Sequence, residues 1–245
     1  MERISGMRHA TGFVRRAACL AAALFIGGAA MAAEERQIYD VYVGGIKSGT
    51  LGLSAAVEGN SYTAEGKIQT SGLLGALFEF AFSGTSRGEI RGDDRLVPVA
   101  YRAAQDDGDD VRSTTISYAG GMPSRVEIDP PRKRRKVPEK LLRDTVDPVA
   151  ATFALLRPED GSCTKQVEIF DGAKRSRITV SERRRAGEFW ACSGTYTRVA
   201  GFSKRQMEER TNFPFTLFYR ETRGGMEVAR FETQSTMGTV SAVRR

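Results

Sequence analysis

The chain has 245 residues, with 37 lysines and arginines against 30 aspartates and glutamates, and a formal net charge of +7. Its only histidine is His9, which lies in the N-terminal segment. The rest of the chain therefore excludes a Ser-His-Asp triad, a Cys-His dyad and a histidine-ligated zinc site.

The N-terminal segment has the three parts of a secretory signal peptide. Residues 1–16 hold four arginines, Ala17–Ala30 is apolar, and Ala30-Met31-Ala32 is an A-x-A cleavage site. The apolar run is shorter than the roughly 20 residues of a spanning helix, although an uncleaved anchor is the alternative. We expect cleavage after Ala32 or Ala33, export to a bacterial periplasm, and one β-rich domain over residues 33–245.

Short strands separated by turn residues dominate the chain. Gly44-Gly45 joins the first two strands in a hairpin, and 62–70 alternates between apolar and polar residues, as a half-buried strand does. The turns "DDGDD", "GGMP", "DGAK", "RRAGE" and "RGG" separate the later segments. The predicted strands are 37–43, 46–57, 62–70, Ala76–Arg91, Val97–Gln105, Val111–Ala119, Ser124–Asp129, Thr164–Asp171, Arg175–Glu182, Glu188–Ala200, Phe213–Thr222, Met226–Ser235 and Thr239–Val243.

One segment predicts a helix instead. Asp147 suits the N-cap, Pro148 the first helical position and Pro158 the stop, so the helix covers about 147–157. The helix separates a first half of six or seven predicted strands from a second half of five or six. The sequence therefore predicts an all-β fold with one internal helix: a curved antiparallel meander, open or half-barrel, with the helix across the concave face or mouth.

Two cysteines, Cys163 and Cys192, remain beyond the signal segment. In an oxidising compartment they predict one disulfide, with two unpaired buried thiols as the alternative. Their spacing excludes C-x-x-C redox chemistry.

The sequence contains two strongly apolar faces. Each can be interpreted either as a strand of the core or as the wall of a ligand cavity. The first is "LLGALFEFAF", residues 73–82, where Phe78, Phe80 and Phe82, together with Phe153 of the helix, are the candidate lining. The second consists of Phe213, Phe215, Leu217 and Tyr219.

A basic run of five residues lies between prolines: Arg132, Lys133, Arg134, Arg135 and Lys136. Without the signal segment and this run, the chain carries one net negative charge, so the positive charge is local. No aromatic residue falls between Tyr118 and Phe153. A nucleic-acid surface usually spreads its cations and interleaves aromatic residues. We therefore expect a solvated loop, or a patch for an anionic membrane surface or envelope protein, and no nucleic acid.

Several motif matches lack the context that their chemistry needs. Gly84–Gly88 fits G-x-S-x-G but has no downstream histidine, and Ser162–Lys165 fits S-x-x-K without its companion motifs. Asp106–Asp110 lacks EF-hand spacing and suits a hairpin tip. Asp144 and Asp147 suit a helix N-terminus. We expect neither a cofactor nor a catalytic site.

The order of these segments resembles an exported family catalogued as domain of unknown function 3108. The resemblance covers roughly Tyr39 to Val243. It rests on "YDVYVGGIKSGTLGL", "GLLGALFEFAFSGTSRGEI" with "LVPVAYR", "DPVAATFALLR", "VEIFDGAKRSRI" and "WACSGTYTRVAGF". It implies export and an all-β fold and no catalytic residues. By shape alone, such a half-barrel is similar to periplasmic lipoprotein carriers.

These observations favour a periplasmic, non-enzymatic binding or carrier protein for an apolar or lipid-like ligand. The alternative is a structural or protein-interaction module of the envelope with a filled core and no small ligand. An enzyme that uses carboxylates alone is a third hypothesis, and it needs converging acids in a polar cleft.

Overall fold

The computed structural model describes residues 35–72, 75, 79–92, 94–131, 135–158 and 162–245. The predicted signal peptide lies outside them. The elements are β1 (Glu35–Val43), β2 (Ile46–Glu58), β3 (Ser61–Thr70), β4 (Ala81–Arg91), β5 (Arg95–Asp106), β6 (Val111–Ala119), β7 (Met122–Asp129), a 3₁₀ turn (Glu139–Leu141), α1 (Pro148–Leu156), β8 (Lys165–Phe170), β9 (Arg175–Ala186), β10 (Phe189–Ala200), α2 (Lys204–Glu209), β11 (Asn212–Thr222), β12 (Gly225–Ser235) and β13 (Gly238–Arg244).

The strands form one antiparallel sheet in the order β7-β6-β5-β4-β3-β2-β1-β13-β12-β11-β10-β9-β8. Two meanders, β1–β7 and β8–β13, are joined where β1 pairs with β13 from Tyr39↔Arg244 to Val43↔Val240. Because β7 and β8 do not pair, the sheet is open. The predicted all-β fold with an internal helix is confirmed.

The sheet curves around α1. The helix contacts β2, β3, β4 and β5 of the first meander and also β8, the edge strand of the second. The turn after β8 lies against β6 and β7, since a Cβ on Gly172 would be 2.9 Å from Cγ2 of Thr114 and 3.4 Å from Cγ1 of Val126. The two edges therefore approach each other around one inner face.

Glycines let α1 lie close to the sheet. A Cβ on Gly84 would be only 3.0 Å from Cγ2 of Val149, and one on Gly66 would be 3.4 Å from the same atom. These glycines are on neighbouring strands, β4 and β3, and face each other in register. Val149, 2% exposed, packs where side chains are missing from the sheet.

The connection between the meanders bridges the gap between β7 and β8. The Val146 N–H donates to the Glu168 carbonyl, and the Phe170 N–H donates to the Val146 carbonyl, both at 2.8 Å. The Asp144 N–H donates to the carbonyl of Gly121 in the β6–β7 turn at 2.9 Å. This segment therefore satisfies part of the β8 edge without closing the barrel.

The disulfide between Cys163 and Cys192 is confirmed. It links the segment before β8 to β10, with the two Cα atoms 5.6 Å apart. Because β9 lies between those strands, the bridge ties the edge strand to the interior of the second meander.

Asp147 caps α1 from inside the protein. Its Oδ1 accepts hydrogen bonds from the N–H groups of Val149 at 3.0 Å and Ala150 at 2.9 Å. Its Oδ2 accepts a bond from the Ser86 hydroxyl at 2.6 Å, and that hydroxyl is 3.1 Å from the hydroxyl of Tyr62. The predicted N-cap is confirmed, and the cap also joins α1 to β4 and β3.

Burial raises the pKa of Asp147 to about 6 from its usual 3.8, although the bonds from Ser86 and the helix N–H groups act in the opposite direction. The carboxylate is therefore a hydrogen-bonded anchor whose charged form is costly in this surrounding.

β4 and α2 are two of the elements that differ from the sequence-based predictions. β4 begins at Ala81, later than the predicted Ala76, and just before it the Thr70 side chain bonds the backbone of Phe80. α2 was not predicted, although Ser203 and Gln206 form a complete capping box. Its six residues are too few to show a helical period.

Asp147 variants separate the role of the cap from that of the charge. At pH 7, Asp147→Asn should be at least as stable as the wild type, since Asn caps helices and carries no buried charge. Asp147→Ala should be less stable than Asp147→Asn by about 1–3 kcal/mol, because helix N–H groups and Ser86 lose a partner. Urea denaturation measures both, and equal stability of the two variants would contradict the anchoring role.

The same variants test the pH dependence. A pKa raised in the folded state stabilises the protein below the unfolded value of 3.8 and loses that stabilisation as the pH rises through about 6. The unfolding free energy of the wild type relative to Asp147→Asn should therefore fall between pH 4 and pH 6, by up to about 3 kcal/mol. A pH-independent difference would contradict the buried charge.

Candidate functional site

An apolar cavity of about 420 Å³ lies between α1 and the inner face of the second meander. The helix supplies three side chains, β1 and β2 one each, and strands β9–β13 the others. The lining residues are Tyr39, Leu51, Thr152, Leu155, Leu156, Ile178, Tyr196, Phe213, Phe215, Leu217, Phe231, Thr233, Gln234 and Ala242.

Strand alternation explains the apolar wall. Phe213, Phe215 and Leu217 are alternate residues of β11, so all three side chains project to one face. The Phe215 ring also packs on Phe231 of β12, with the ring centroids 5.3 Å apart. Sequence alternation alone therefore produces a continuous aromatic and aliphatic surface across neighbouring strands.

The cavity has a closed floor and an open mouth. Tyr39 and Leu217 are 1% and 2% exposed, whereas Gln234 is exposed to solvent. Tyr196 and Phe213, half-buried and 6.0 Å apart between ring centroids, lie near the mouth. The cavity is therefore closed on the side of Tyr39 and Leu217 and reaches solvent on the side of Gln234.

The floor is held by a buried polar pair. The Tyr39 hydroxyl donates toward Oε1 of Gln37 at 2.7 Å and the Val228 carbonyl at 3.0 Å. Nε2 of Gln37 donates to the Leu156 carbonyl at the end of α1, at 3.1 Å. Burial raises the pKa of Tyr39 to about 12, so the phenol is neutral and functions as a hydrogen-bond donor.

Glycine also shapes the wall. The Phe215 ring covers Gly194, its cross-strand partner on β10, so closely that a Cβ on Gly194 would overlap the ring. The missing side chain fixes the ring flat against the sheet and leaves the space above it open.

The sequence-predicted lining lies elsewhere. Phe153 is buried against Tyr62, with the ring centroids 5.8 Å apart, and half-buried Phe82 packs on the same core. Phe80 is half-buried before β4, and Phe78 lies outside the described residues. Phe80, Phe82 and Phe153 do not line the 420 Å³ cavity, because α1 occupies the inner face of the first meander. The second apolar face provides the wall instead.

The basic run follows β7 near the gap in the sheet. Arg135 and Lys136 are exposed, and Arg132, Lys133 and Arg134 lie outside the described residues. Val137, the next residue, is buried and anchors the end of the run in the core.

Asp144 and Asp147, the two carboxylates before the helix, have different surroundings and different partners. Asp147 is buried at the helix N-terminus, whereas Asp144 is exposed and bonds Arg95 at 3.0 Å. Ser86 of the G-x-S-x-G match lies within β4 and donates to Asp147. Within the described ranges, no three His, Cys, Asp or Glu residues are grouped as metal ligands. Among the described Asp and Glu residues, Asp147 has a raised pKa, and this residue caps a helix.

The described helices include none with the length and apolar composition needed to cross a bilayer. Fold and cavity together define an open, curved antiparallel sheet with an internal helix and an apolar cleft.

The chain belongs to the family of proteins of unknown function DUF3108, whose model matches residues 38–242. This match confirms the resemblance found in the sequence. A comparison with curated proteins finds no match. Among solved structures, the chain is similar to a beta-barrel-like protein of domain of unknown function DUF1849 from Brucella abortus, at 11% identity, 86% coverage of this chain, 95% of that chain and a TM-score of 0.44.

Gly194→Ala should destabilise the protein by about 1–3 kcal/mol, because the added methyl forces the Phe215 ring off the sheet. Gly52→Ala is the matched control: it is also on a strand, but a Cβ there meets nothing within 4 Å. Its stability should stay within about 0.5 kcal/mol of the wild type. Equal urea midpoints for both variants would contradict the packing of Phe215 on Gly194.

Proposed function

We propose that this is a periplasmic, non-enzymatic binding or carrier protein for an apolar or lipid-like ligand of the cell envelope. The observation that carries this proposal is the apolar cavity of about 420 Å³ between α1 and the second meander. Its volume is in the usual range for small-ligand sites, about 300–1,000 Å³.

The contrast between the two meanders supports a ligand site over an accidental gap. In the first meander, glycines admit α1 so closely that the inner face is filled. In the second meander, alternate strand residues are as apolar, yet the described part of the chain does not fill the space above them. Such an apolar surface is stabilised when a ligand displaces the poorly bonded water over it.

Export and the non-enzymatic role rest on the sequence. The signal-like first 32 residues direct the chain to the periplasm, and the remainder contains no histidine. The disulfide suits an oxidising compartment.

A second candidate, an envelope interaction module, is favoured by one observation. Among the described strands, β7 ends the sheet and pairs only with β6. Its other edge offers backbone N–H and C=O groups to a partner strand. An interaction module of this kind requires a filled core, whereas the second meander has a cavity. The binding protein is therefore the stronger proposal.

Filling the cavity tests the binding function. Native mass spectrometry of wild-type protein should show a reproducible added mass that is lost on denaturation and recovered as lipid. Ala242→Phe, which projects an aromatic ring into the cavity, should remove that mass and weaken binding of the neutral fluorophore N-phenyl-1-naphthylamine at least about tenfold.

Val243→Phe is the matched control, because the adjacent strand residue points to the opposite face. It should retain both the added mass and the fluorophore. If the wild type carries no added mass and does not bind the fluorophore, or if the two variants behave alike, the proposal is wrong.

The basic run is proposed to dock the protein on an anionic leaflet. Each lysine or arginine near such a surface contributes about 1 kcal/mol, so replacing Arg132–Lys136 with Ser and Gly should reduce sedimentation with phosphatidylglycerol vesicles more than tenfold. Phosphatidylcholine vesicles are the control and should sediment neither protein. Unchanged sedimentation with phosphatidylglycerol would contradict docking through this run.

A further inference from the structure

Two arginines flank an aromatic ring at the mouth of the cavity. The guanidinium carbons of Arg198 and Arg210 are 4.6 and 4.8 Å from the centroid of the Phe213 ring, which lines the cavity. The half-buried Arg198 is also 5.4 Å from the centroid of Phe202, and Nζ of Lys174 is at the same distance from that ring. Cations therefore gather where the apolar wall reaches solvent.

The loop that contains α2 holds these cations in place. Nη1 of Arg198 donates to the carbonyls of Gln206 at 2.7 Å and Arg210 at 2.9 Å, and Nε of Arg210 donates to the Asn212 carbonyl at 2.7 Å. A guanidinium has five N–H donors, so these backbone bonds fix each group and leave donors for a further acceptor.

Two acidic groups on this side of the protein, Asp171 and Glu208, have partners of their own. The Asp171 carboxylate accepts the N–H groups of Ala173 and Lys174 at 2.8 and 2.7 Å, and Glu208 pairs with Lys204 at 3.7 Å. Burial raises the pKa of Tyr196, the hydrogen bond with Ser176 lowers it, and the charges of Asp171 and Arg198 act on it in opposite directions.

We propose that the ligand is an anionic amphiphile, with its alkyl chain in the cavity and its carboxylate or phosphate on Arg198 and Arg210. This inference rests on the proposed binding function and specifies its ligand class. Arginine suits either head group, because its fork of N–H groups matches carboxylate and phosphate oxygens alike. The apolar wall selects the alkyl chain of the ligand, and the two arginines select a negatively charged head group.

Competition for bound N-phenyl-1-naphthylamine tests this selection, with protein purified after expression of the full-length chain. The competitors share one alkyl chain: dodecanoate, dodecyl phosphate, 1-dodecanol and dodecyltrimethylammonium. The two anions should bind about tenfold more tightly than the alcohol, and the cation less tightly than the alcohol. The preference should shrink at 0.5 M salt, since exposed charge pairs are screened.

Inorganic phosphate separates a lipid head group from a free anion. It should not compete at concentrations where dodecyl phosphate does, because it has no chain to fill the cavity. Competition by inorganic phosphate as effective as that by dodecyl phosphate would overturn the proposal in favour of a free-anion site.

Arg210→Gln should weaken dodecanoate and dodecyl phosphate binding about three- to tenfold and leave 1-dodecanol unchanged. Arg205→Gln, an exposed arginine of α2, is the matched control and should change neither. Equal affinities for anion, alcohol and cation in the wild type would overturn the head-group assignment while the binding function stands. Failure of the fluorophore itself to bind would instead remove the binding function.

Discussion

A single helix of nine residues has to serve as the inner layer for a sheet of thirteen strands. At 1.5 Å per residue it is about 14 Å long, whereas thirteen strands spaced 4.8 Å apart measure about 60 Å across. Among the described elements, the helix chiefly contacts β2–β5 and β8 and does not fill the space over the inner face of β9–β13. The cavity follows from this mismatch of sizes.

Polar groups determine where the short helix lies. Asp147 bonds its first turn to β4, and Gln37 of β1 bonds the Leu156 carbonyl at its other end. A helix shifted along the sheet would leave these buried groups without partners, each at a cost of about 1–3 kcal/mol. Apolar burial supplies most of the stability, and the two polar contacts select one position out of several that are equally apolar.

Local signals in the sequence predicted the strands, the helix and the disulfide. Asp147-Pro148 and Pro158 bounded the helix because caps and prolines act within one turn. The order of the strands left no such signal, since the pairing of β1 with β13 joins segments at opposite ends of the described chain. The position of the cavity could not be predicted for the same reason, because Phe82 and Phe215 belong to equally apolar segments. Gly66 and Gly84 decide where α1 lies, but in the sequence they look like ordinary strand glycines.

The pairing of β1 with β13 makes the fold a product of distant contacts. Arg245 bonds Asp40 across 205 positions of sequence, and the cavity wall combines Tyr39 of β1 with Ala242 of β13. Contacts this far apart slow folding, because a long loop must close before they form. In a chain whose final strand has not yet paired with β1, the two meanders are separate sheets and the wall of the cavity is incomplete.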